Sequence, residues 1–406
     1  MNYDVAIVGA GPAGSTAAKF ICDKGYKLAL IDKCKFPRDK SCGGGLPTHV
    51  LKRFKNILSD DMIDSYSYGG TTFSHSMKYQ IKFINDEPVT AMTLRKKFDY
   101  GLVKIAIKAG ANLIDGEKVI DIKINKEKAT IKTDKGKIID SNILIGADGV
   151  WSLVAKKIGL RKKNNPIGLC VFEEYELDKE MLDKYFGELR LGYIHSKFDN
   201  LNGYGWVFPK NKHINIGIGE LEYNPQQNKS KNNLKNVYYN YISTLKKQKL
   251  IPEKIKINNI KGGAFPIIPL NKTYSKRVIL IGDAAGFVNP VSGEGIYYAM
   301  ASGQLAAETI QKALESKDSS EKILSKYQKN WKKDFGKELR LMHWFAKRQS
   351  RTKSEKNFRL LKNDDKLNQL LSKVMAGHLS FNEYKWKIAK RYLYCLIKDF
   401  FKKTNQ

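Results

Sequence analysis

Three glycines near the amino terminus have the spacing of a loop that binds a dinucleotide. Gly9, Gly11 and Gly14 follow an apolar segment and precede an alanine-rich run. Gly9 permits a tight turn, Gly11 lets the backbone approach a pyrophosphate, and Gly14 lets a helix pack on a strand. Ala13 lies at the start of that helix, whose amides face the phosphates. Asp32 follows 18 residues after Gly14, where a carboxylate accepts hydrogen bonds from ribose hydroxyls. These five residues are predicted to bind a dinucleotide.

A second glycine-rich stretch, LIGDAAGFVNPVSGEGI at 280–296, lies far downstream. Asp283 lies at the carboxyl end of a predicted buried strand, which is where open α/β sheets bind ligands. Its carboxylate can accept a hydrogen bond there from a ribityl hydroxyl. Gly293 and Gly295 form a turn before a helix that begins near Ile296, and the free amides there can face a flavin pyrimidine. An NAD-type domain has no use for such a distant element, whereas a long FAD lying across the sheet does. The predicted cofactor is therefore FAD.

Two further stretches carry residue types suited to a site. CKFPRDKSCGGGLP at 34–47 has Cys42 directly before three glycines, which is more than a turn requires. In YGWVFP, Tyr204, Trp206 and Phe208 alternate along a predicted strand, so that their side chains share one face. Such a row forms either part of a core or the wall of a pocket, and the spacing leaves both open.

Periodicity places these motifs on an α/β fold. The opening YDVAIVGAGPAGSTAAKFICDKGYKLALIDK has the strand, turn, helix and strand order of a βαβ unit. Two later segments alternate and are rich in aromatic and β-branched residues, as antiparallel strands are. We predict a discontinuous Rossmann-like FAD-binding domain from 1–65, 95–160 and 275–315, an inserted antiparallel β-rich substrate domain from 66–94 and 161–274, and a C-terminal helical region from 316–406.

Composition narrows the class of protein. The 406 residues carry 72 basic and 41 acidic side chains, a net charge of +31, and 42% are hydrophobic. These values fit an ordered globular protein too long for one simple core. The charge reflects either compositional drift or attraction to an anionic membrane or phosphate, and the sequence leaves both open. The five cysteines form no CxxC pair and the six histidines have no paired spacing, so we predict a reducing interior and no metal site.

The two ends of the chain bear on its location. The start, MNYDVAIVGAG, has no basic leader or cleavage site, and no run reaches the roughly 18 to 20 apolar residues of a spanning helix. We expect a cytoplasmic monomer that binds no nucleic acid and lies at most peripherally on the cytoplasmic membrane. In the tail, Trp386, Leu393, Leu396, Ile397 and Phe400 recur at helical spacing among lysines. This pattern suits an interfacial helix on anionic lipid, and equally an ordinary terminal helix packed on the body.

Taken together, the motifs resemble a known superfamily. The segments at 9–14, GADG at 146–149 and GDAAG at 282–286 are similar to those of the flavoprotein monooxygenase superfamily, with its p-hydroxybenzoate hydroxylase-like fold. This resemblance implies that Arg95 lies near the FAD diphosphate and ribityl chain, and that backbone groups at Val119 hold the adenine. Arg95 otherwise fits a surface arginine at a helix start.

A closer resemblance is to the geranylgeranyl reductase family. FPRDKSCGGGL and YGWVFPKNKHINIGIG are similar to its motifs, the second through a YxWxFP-x7-GxG pattern that ends at Gly217 and Gly219. The resemblance spans about residues 1–310. Leu201 departs from it, because some members have proline three residues before the tyrosine, which puts the local loop shape in doubt. The C-terminal region carries no matching motif.

The closer resemblance also implies a function and a site. It implies an FAD-dependent reductase that saturates C=C bonds of geranylgeranyl or polyprenyl chains on a lipid or isoprenoid diphosphate. Electrons would come from NAD(P)H or from a carrier protein such as ferredoxin. Cys42 would lie beside the flavin ring, as proton donor or as cavity wall, with Gly43 and Gly45 allowing close approach of the backbone. Tyr204 and Trp206 would be catalytic residues that line the substrate cavity.

Two alternatives stay open. A flavin monooxygenase or halogenase would share the fold; halogenases that resemble this superfamily carry WxWxIP and a lysine near their substrate. This chain has Tyr204-x-Trp206-x-Phe208-Pro209 and no clear counterpart of the lysine. The other alternative is a non-enzymatic, basic, flavin-stabilised protein that binds membrane or nucleic acid, which the tail alone supports.

Overall fold

The structure, a computed structural model, describes residues 1–162, 165–223, 233–348, 351–375, 379 and 381–404. The strands are β1 (Asn2–Val8), β2 (Leu28–Asp32), β3 (Gly45–Pro47), β4 (Ser65–Ser67), β5 (Gly69–Phe73), β6 (Gln80–Ile84), β7 (Thr90–Met92), β8 (Asn112–Asp115), β9 (Val119–Ile124), β10 (Ala129–Thr133), β11 (Ile138–Gly146), β12 (Ile167–Glu176), β13 (Gly192–Ser196), β14 (Gly203–Pro209), β15 (His213–Tyr223), β16 (Lys261–Pro266), β17 (Tyr274–Ser275) and β18 (Val278–Leu280). The α-helices are α1 (Pro12–Cys22), α2 (Thr48–Arg53), α3 (Arg95–Lys108), α4 (Leu153–Lys157), α5 (Lys179–Phe186), α6 (Leu234–Lys247), α7 (Ile296–Glu315), α8 (Glu321–Trp331), α9 (Lys337–Arg348), α10 (Arg351–Lys362), α11 (Asp365–Met375) and α12 (Phe381–Thr404).

The first sheet is the Rossmann-like layer. Its strands run in the order β17-β18-β11-β1-β2-β8, and the hairpin of β9 and β10 joins it at β11. The pairs from β18 to β8 along this path are parallel, so their carboxyl ends meet at one edge. The predicted β1–α1–β2 unit is confirmed. Helices α1 and α7 lie close together, because a methyl group at Gly303 would come 2.6 Å from the Ala13 carbonyl oxygen.

The second sheet has the strand order β16-β12-β15-β14-β13-β5-β6. Its pairs are antiparallel except β13 with β5, which is parallel. The expected antiparallel arrangement therefore holds for five of the six pairs, and the pair of β13 with β5 departs from it. Strand β5 comes from the segment 66–94 and strand β13 from the segment 161–274. Because no tight hairpin links the two strands, nothing forces them to run in opposite directions. Helix α6 covers one face of the sheet with the buried side chains of Tyr238 and Tyr241, so the other face is free to meet the first layer.

A small third sheet is formed by strands from the first 92 residues. Strands β3, β7 and β4 pair antiparallel in that order. It anchors the strand that follows Cys42 against residues 90–92. Strand β4 spans the boundary expected between 65 and 66, and the domain limits stay a prediction.

The predicted C-terminal helical region is confirmed as α8 to α12. Helix α8 and the π-helical turn Lys332–Gly336 complete the core of the first layer through Tyr327, Trp331 and Phe335. Helices α10 to α12 share a smaller core of their own around Leu367. Among the helices of the described residues, none is long and apolar enough to cross a membrane.

The apolar residues expected to form one stripe in the tail lie on helix α12, where one of them is packed and others are exposed. Leu396 packs into the small C-terminal core, whereas Trp386, Leu393 and Ile397 are 72%, 57% and 50% exposed. The side chain of Phe400 lies outside the described residues. The exposed apolar face of α12 is therefore narrower than the sequence suggested.

Candidate functional site

The first glycine turn has the geometry of a phosphate-binding loop. Gly9 has a φ of +105°, and a methyl group there would overlap the carbonyl oxygen of Ala147. A methyl group at Gly14 would overlap the Gly9 carbonyl oxygen, which accounts for the close packing of α1 on β1. Helix α1 begins at Pro12 without a side-chain cap on its first amides. The amides of Ala13 and Gly14 are therefore positioned to bind an anion.

Asp32 closes this turn at the end of β2. Its Oδ2 accepts a hydrogen bond from the amide of Ala10 at 2.8 Å, and its Oδ1 accepts one from the amide of Cys34 at 2.9 Å. The Asp32 carbonyl in turn accepts from the amide of Glu117 at 3.1 Å, two residues before Val119. The predicted ribose and adenine residues are thus neighbours at one end of the sheet edge.

A buried carboxylate joins two arginines beside the turn. Asp99 accepts two hydrogen bonds from Arg95, each 2.7 Å long, and a third from Nη1 of Arg38 at 2.7 Å. Burial acts to raise the pKa of Asp99, but the two guanidinium groups outweigh it and hold that pKa below its usual range. Burial likewise acts to lower the pKa of Arg95, and its neighbours, chiefly the Asp99 carboxylate, raise it further than burial lowers it.

The two arginines hold different positions. The nearest atom to a methyl group built at Gly11 would be Nη2 of Arg38, at 3.8 Å, so this face of the turn is open and carries a guanidinium. Arg95 lies deeper, bonded to the buried Asp99, and Cys42 is close enough to affect its pKa. Sequence reasoning missed Arg38, because no spacing rule marks the arginine of FPRDKSC as a ligand.

The second glycine stretch returns to the same edge. Gly282 has a φ of +57°, and a methyl group there would lie 2.9 Å from Cβ of Ala13, so the turn that carries Asp283 packs against the start of α1. Oδ2 of Asp283 lies 3.8 Å from Nζ of Lys40. Helix α7 begins at Ile296, with Gly295 at its N-cap and no side-chain cap. Both predicted elements therefore converge on one edge of the first sheet.

The cysteine loop packs against the aromatic strand. A methyl group at Gly43 would lie 3.0 Å from the ring of Phe208 and 3.3 Å from Nε1 of Trp206. Gly44 has a φ of +79°, and a methyl group there would overlap the carbonyl oxygen of Thr93. Gly43 thus lets the loop pass close to the rings, and Gly44 lets it pass close to the main chain at Thr93.

The aromatic side chains share one face of β14, as predicted. The ring centroids of Tyr204 and Trp206 are 5.8 Å apart, and those of Trp206 and Phe208 are 6.2 Å apart. A methyl group at Gly217 would overlap the Trp206 ring. Tyr204 donates a hydrogen bond to the carbonyl of Ser292, directly before Gly293. Burial raises the pKa of the Tyr204 hydroxyl, and the charges of two nearby cysteines add to the effect.

One of those cysteines, Cys170 on β12, was not predicted. Its Sγ would lie 2.9 Å from a methyl group at Gly263, and Cβ of Ser41 would lie 3.2 Å from the same methyl group. Burial raises the pKa of Cys170 to about 12, with a smaller contribution from Cys42. A second thiol therefore shares the region of Cys42, and pairing across strands, not a local motif, brings it there.

Comparison with known proteins places this site in a family. Residues 2–334 match the family described as FAD binding domain. The chain belongs to this family. Its cofactor is FAD, and the residues fit that cofactor: an open turn at Gly11 has a guanidinium beside it, and α1 and α7 both begin without a side-chain cap.

Similarity to individual proteins is more specific. This FAD-binding protein is 31% identical to the digeranylgeranylglycerophospholipid reductase of Methanocaldococcus jannaschii, over 81% of this chain and 82% of that one. It superimposes on a geranylgeranyl bacteriochlorophyll reductase-like protein of Thermoplasma acidophilum with a TM-score of 0.77 and 25% identity, over 89% of this chain and 92% of that one. The geranylgeranyl reductase relationship predicted from the motifs is confirmed.

The FAD-binding protein also shares its fold with a halogenase solved in complex with FAD. The TM-score is 0.63 at 17% identity, over 80% of this chain and 73% of that one. At this identity the likeness concerns the fold and says nothing of the reaction.

Proposed function

We propose that the protein uses FAD to saturate C=C bonds in geranylgeranyl or related polyprenyl chains carried by a lipid or an isoprenoid diphosphate. The observation that carries the proposal is the packing of the Cys42 loop on the aromatic face of β14, next to the turn at Gly293. Support also comes from the reductases among its relatives. The roles given above to individual residues in binding FAD, and the roles given below in acting on the substrate, are part of this proposal.

Adding hydrogen to an isolated alkene requires a hydride, a proton and a dry apolar cavity. FAD in its reduced form supplies hydride when bound, because no side chain can. The Cys42 thiol holds a proton next to the expected flavin ring. The guanidinium of Arg95, which lies near Cys42, can compensate the negative charge left on sulfur when that proton is transferred.

The aromatic row serves as the cavity wall. The polar tips of its side chains are occupied, since Tyr204 donates to Ser292 and Nε1 of Trp206 donates to Oδ1 of Asn215 at 2.7 Å. The polar groups of the row are therefore paired, and what it presents to its surroundings is apolar ring surface. Such faces guide a polyprenyl chain and stabilise positive charge that develops on it through cation–π attraction.

We also infer that the protein binds the surface of an anionic membrane, where its lipid substrate lies. The support is the exposed face of α12, which carries Trp386, Leu393 and Ile397 among lysines, and the net charge of +31. A basic surface also suits an acidic electron carrier. The electron donor stays open between NAD(P)H and such a carrier.

The runner-up is an oxygen-dependent monooxygenase or halogenase of the same fold. Lys210 lies at this site, against Gly44, but its ammonium is buried and bonded to Glu174. That pairing leaves it poorly placed to meet a substrate, which favours the reductase.

Oxygen separates the two reactions. The protein, supplied with dithionite or NAD(P)H and a geranylgeranyl lipid, is expected to saturate the chain without oxygen. A hydroxylated or halogenated product that forms under air, with no saturation under anaerobic conditions, would establish the runner-up.

A further inference from the structure

A charged pair lies beneath the cysteine loop. The side chain of Lys210, directly after β14, is 1% exposed, and its ammonium donates to Oε1 of Glu174 on β12, whose side chain is 24% exposed. A methyl group at Gly44 would lie 3.1 Å from Nζ of Lys210. The ammonium is therefore in contact with the loop that follows Cys42.

Asn215 connects this pair to both walls of the site. Its Oδ1 accepts from Nε1 of Trp206 at 2.7 Å. Its Nδ2 donates to Oε2 of Glu174 at 3.0 Å and to the Cys42 carbonyl at 3.4 Å. The indole can only donate and the carboxylate and carbonyl can only accept, so one orientation of the amide satisfies all three. Asn215 itself is fully buried.

Packing alone does not account for this arrangement. An ion pair is a weak source of stability even where it is buried, since apolar residues of similar volume often serve as well or better. The three side chains instead fix the orientation of their neighbours. The carboxylate held by Lys210 fixes the Asn215 amide, and the amide fixes the Trp206 ring relative to the main chain of Cys42.

We propose that Asn215, Glu174 and Lys210 are positioning residues that hold the Cys42 loop and the Trp206 ring as one rigid wall. This inference rests on the proposed function, because it assigns the wall a role in alkene reduction. The three side chains act through Cys42 and Trp206, and they need not touch the substrate.

The test uses the full-length holoenzyme and an Asn215→Leu variant, which keeps volume and removes the three hydrogen bonds. One readout is kcat and KM for reduction of a geranylgeranyl lipid. The other is the rate at which iodoacetamide alkylates Cys42, resolved by mass spectrometry of its peptide in the oxidised holoenzyme without lipid. We expect kcat to fall about tenfold with KM little changed, and alkylation to accelerate at least about threefold as the loop loosens.

Two further variants keep the test decisive. Glu174→Gln with Lys210→Met removes both charges of the pair at once, should Asn215→Leu fail to fold, and is expected to shift both readouts in the same direction. The matched control is Tyr175→Phe, which removes buried hydrogen bonds to Glu173 and Tyr238. It is expected to lower the melting temperature and leave both readouts unchanged.

The outcomes separate the two proposals. Positioning variants that behave like Tyr175→Phe in either readout would overturn the positioning role. Wild-type holoenzyme that reduces no polyprenyl lipid would instead overturn the proposed function. In that case the alkylation rates still decide whether the network holds the Cys42 loop.

Discussion

The hydroxyl of Tyr204 donates a hydrogen bond to the main-chain carbonyl of Ser292. This bond joins the aromatic strand of the second sheet to the turn that starts α7 in the first layer. The Cys42 loop packs on the same strand through Gly43. Two segments about 250 residues apart in sequence thus meet at one strand, and the proposed reaction depends on that meeting.

Replacement of Cys42 by serine tests its part in proton transfer. Serine keeps the loop small but is a far weaker acid than the thiol, so we expect kcat to fall about 100-fold with FAD still bound. Single-turnover reduction of a geranylgeranyl lipid by pre-reduced holoenzyme measures this. Cys34→Ser, in the same segment, serves as control and should keep its rate. An unchanged rate in the Cys42 variant would leave the cysteine as a cavity wall.

The glycine turn can be tested with a matched pair of substitutions. Gly9 and Gly110 have φ values of +105° and +109°, but a methyl group at Gly110 would meet no atom within 4 Å, whereas one at Gly9 would overlap the Ala147 carbonyl. Gly110→Ala should cost about 1 to 2 kcal/mol of stability from backbone strain and keep its FAD. Gly9→Ala should lose FAD, as measured by flavin absorbance of the purified protein. Full FAD content in Gly9→Ala would contradict the assignment of this turn.

A buried histidine predicts how stability depends on pH. The His195 ring stacks on Phe73, with centroids 4.4 Å apart, and Nδ1 lies 2.8 Å from the Tyr241 hydroxyl. Burial lowers the pKa of His195 from 6.5 to about 3. Between these values the unfolded chain binds more protons, so the stabilising effect of the neutral ring is complete above pH 6.5 and is lost as pH falls toward 3.

The size of that dependence can be measured by urea unfolding. From about pH 6 downward, the free energy of unfolding of the wild-type protein should fall by up to about 1.4 kcal/mol per pH unit relative to that of His195→Leu. Near pH 8 the difference between the two proteins should be constant, which is the internal control. Parallel curves throughout the acidic range would contradict the depressed pKa.

Membrane binding is tested on the exposed face of α12. Replacement of Trp386, Leu393 and Ile397 by serine should reduce flotation with vesicles containing phosphatidylserine by about tenfold or more, because the inserted apolar area is lost. Trp151→Ser is the matched control, since Trp151 is 71% exposed against 72% for Trp386. Equal flotation of both variants and wild type would favour a terminal helix without a membrane role.

Local motifs predicted much of this protein. The βαβ unit, the glycine turn with Asp32, and the shared face of Tyr204 and Trp206 follow from spacing over a few residues, and the structure has them all. The parallel pairing of β5 with β13 could not be predicted, because both strands alternate in the same way whatever their direction.

Residues that act through distant partners were missed for a related reason. Arg38 meets Asp99, Cys170 meets Gly263, and Asn215 meets Cys42, each across a long stretch of chain. None has a sequence signal beyond its own residue type. The spacing of apolar residues in the tail left both a membrane helix and a packed helix open, because helical spacing does not tell which side packs, and Leu396 packs inward.

The most direct measurement is the mass of a polyprenyl lipid after anaerobic incubation with the reduced protein. A panel should include lipids with geranylgeranyl chains and the isoprenoid diphosphate. The account predicts that at least one gains mass in steps of two hydrogens, each step one saturated double bond. No gain in mass on any member of the panel, with FAD bound and fully reduced, would contradict it.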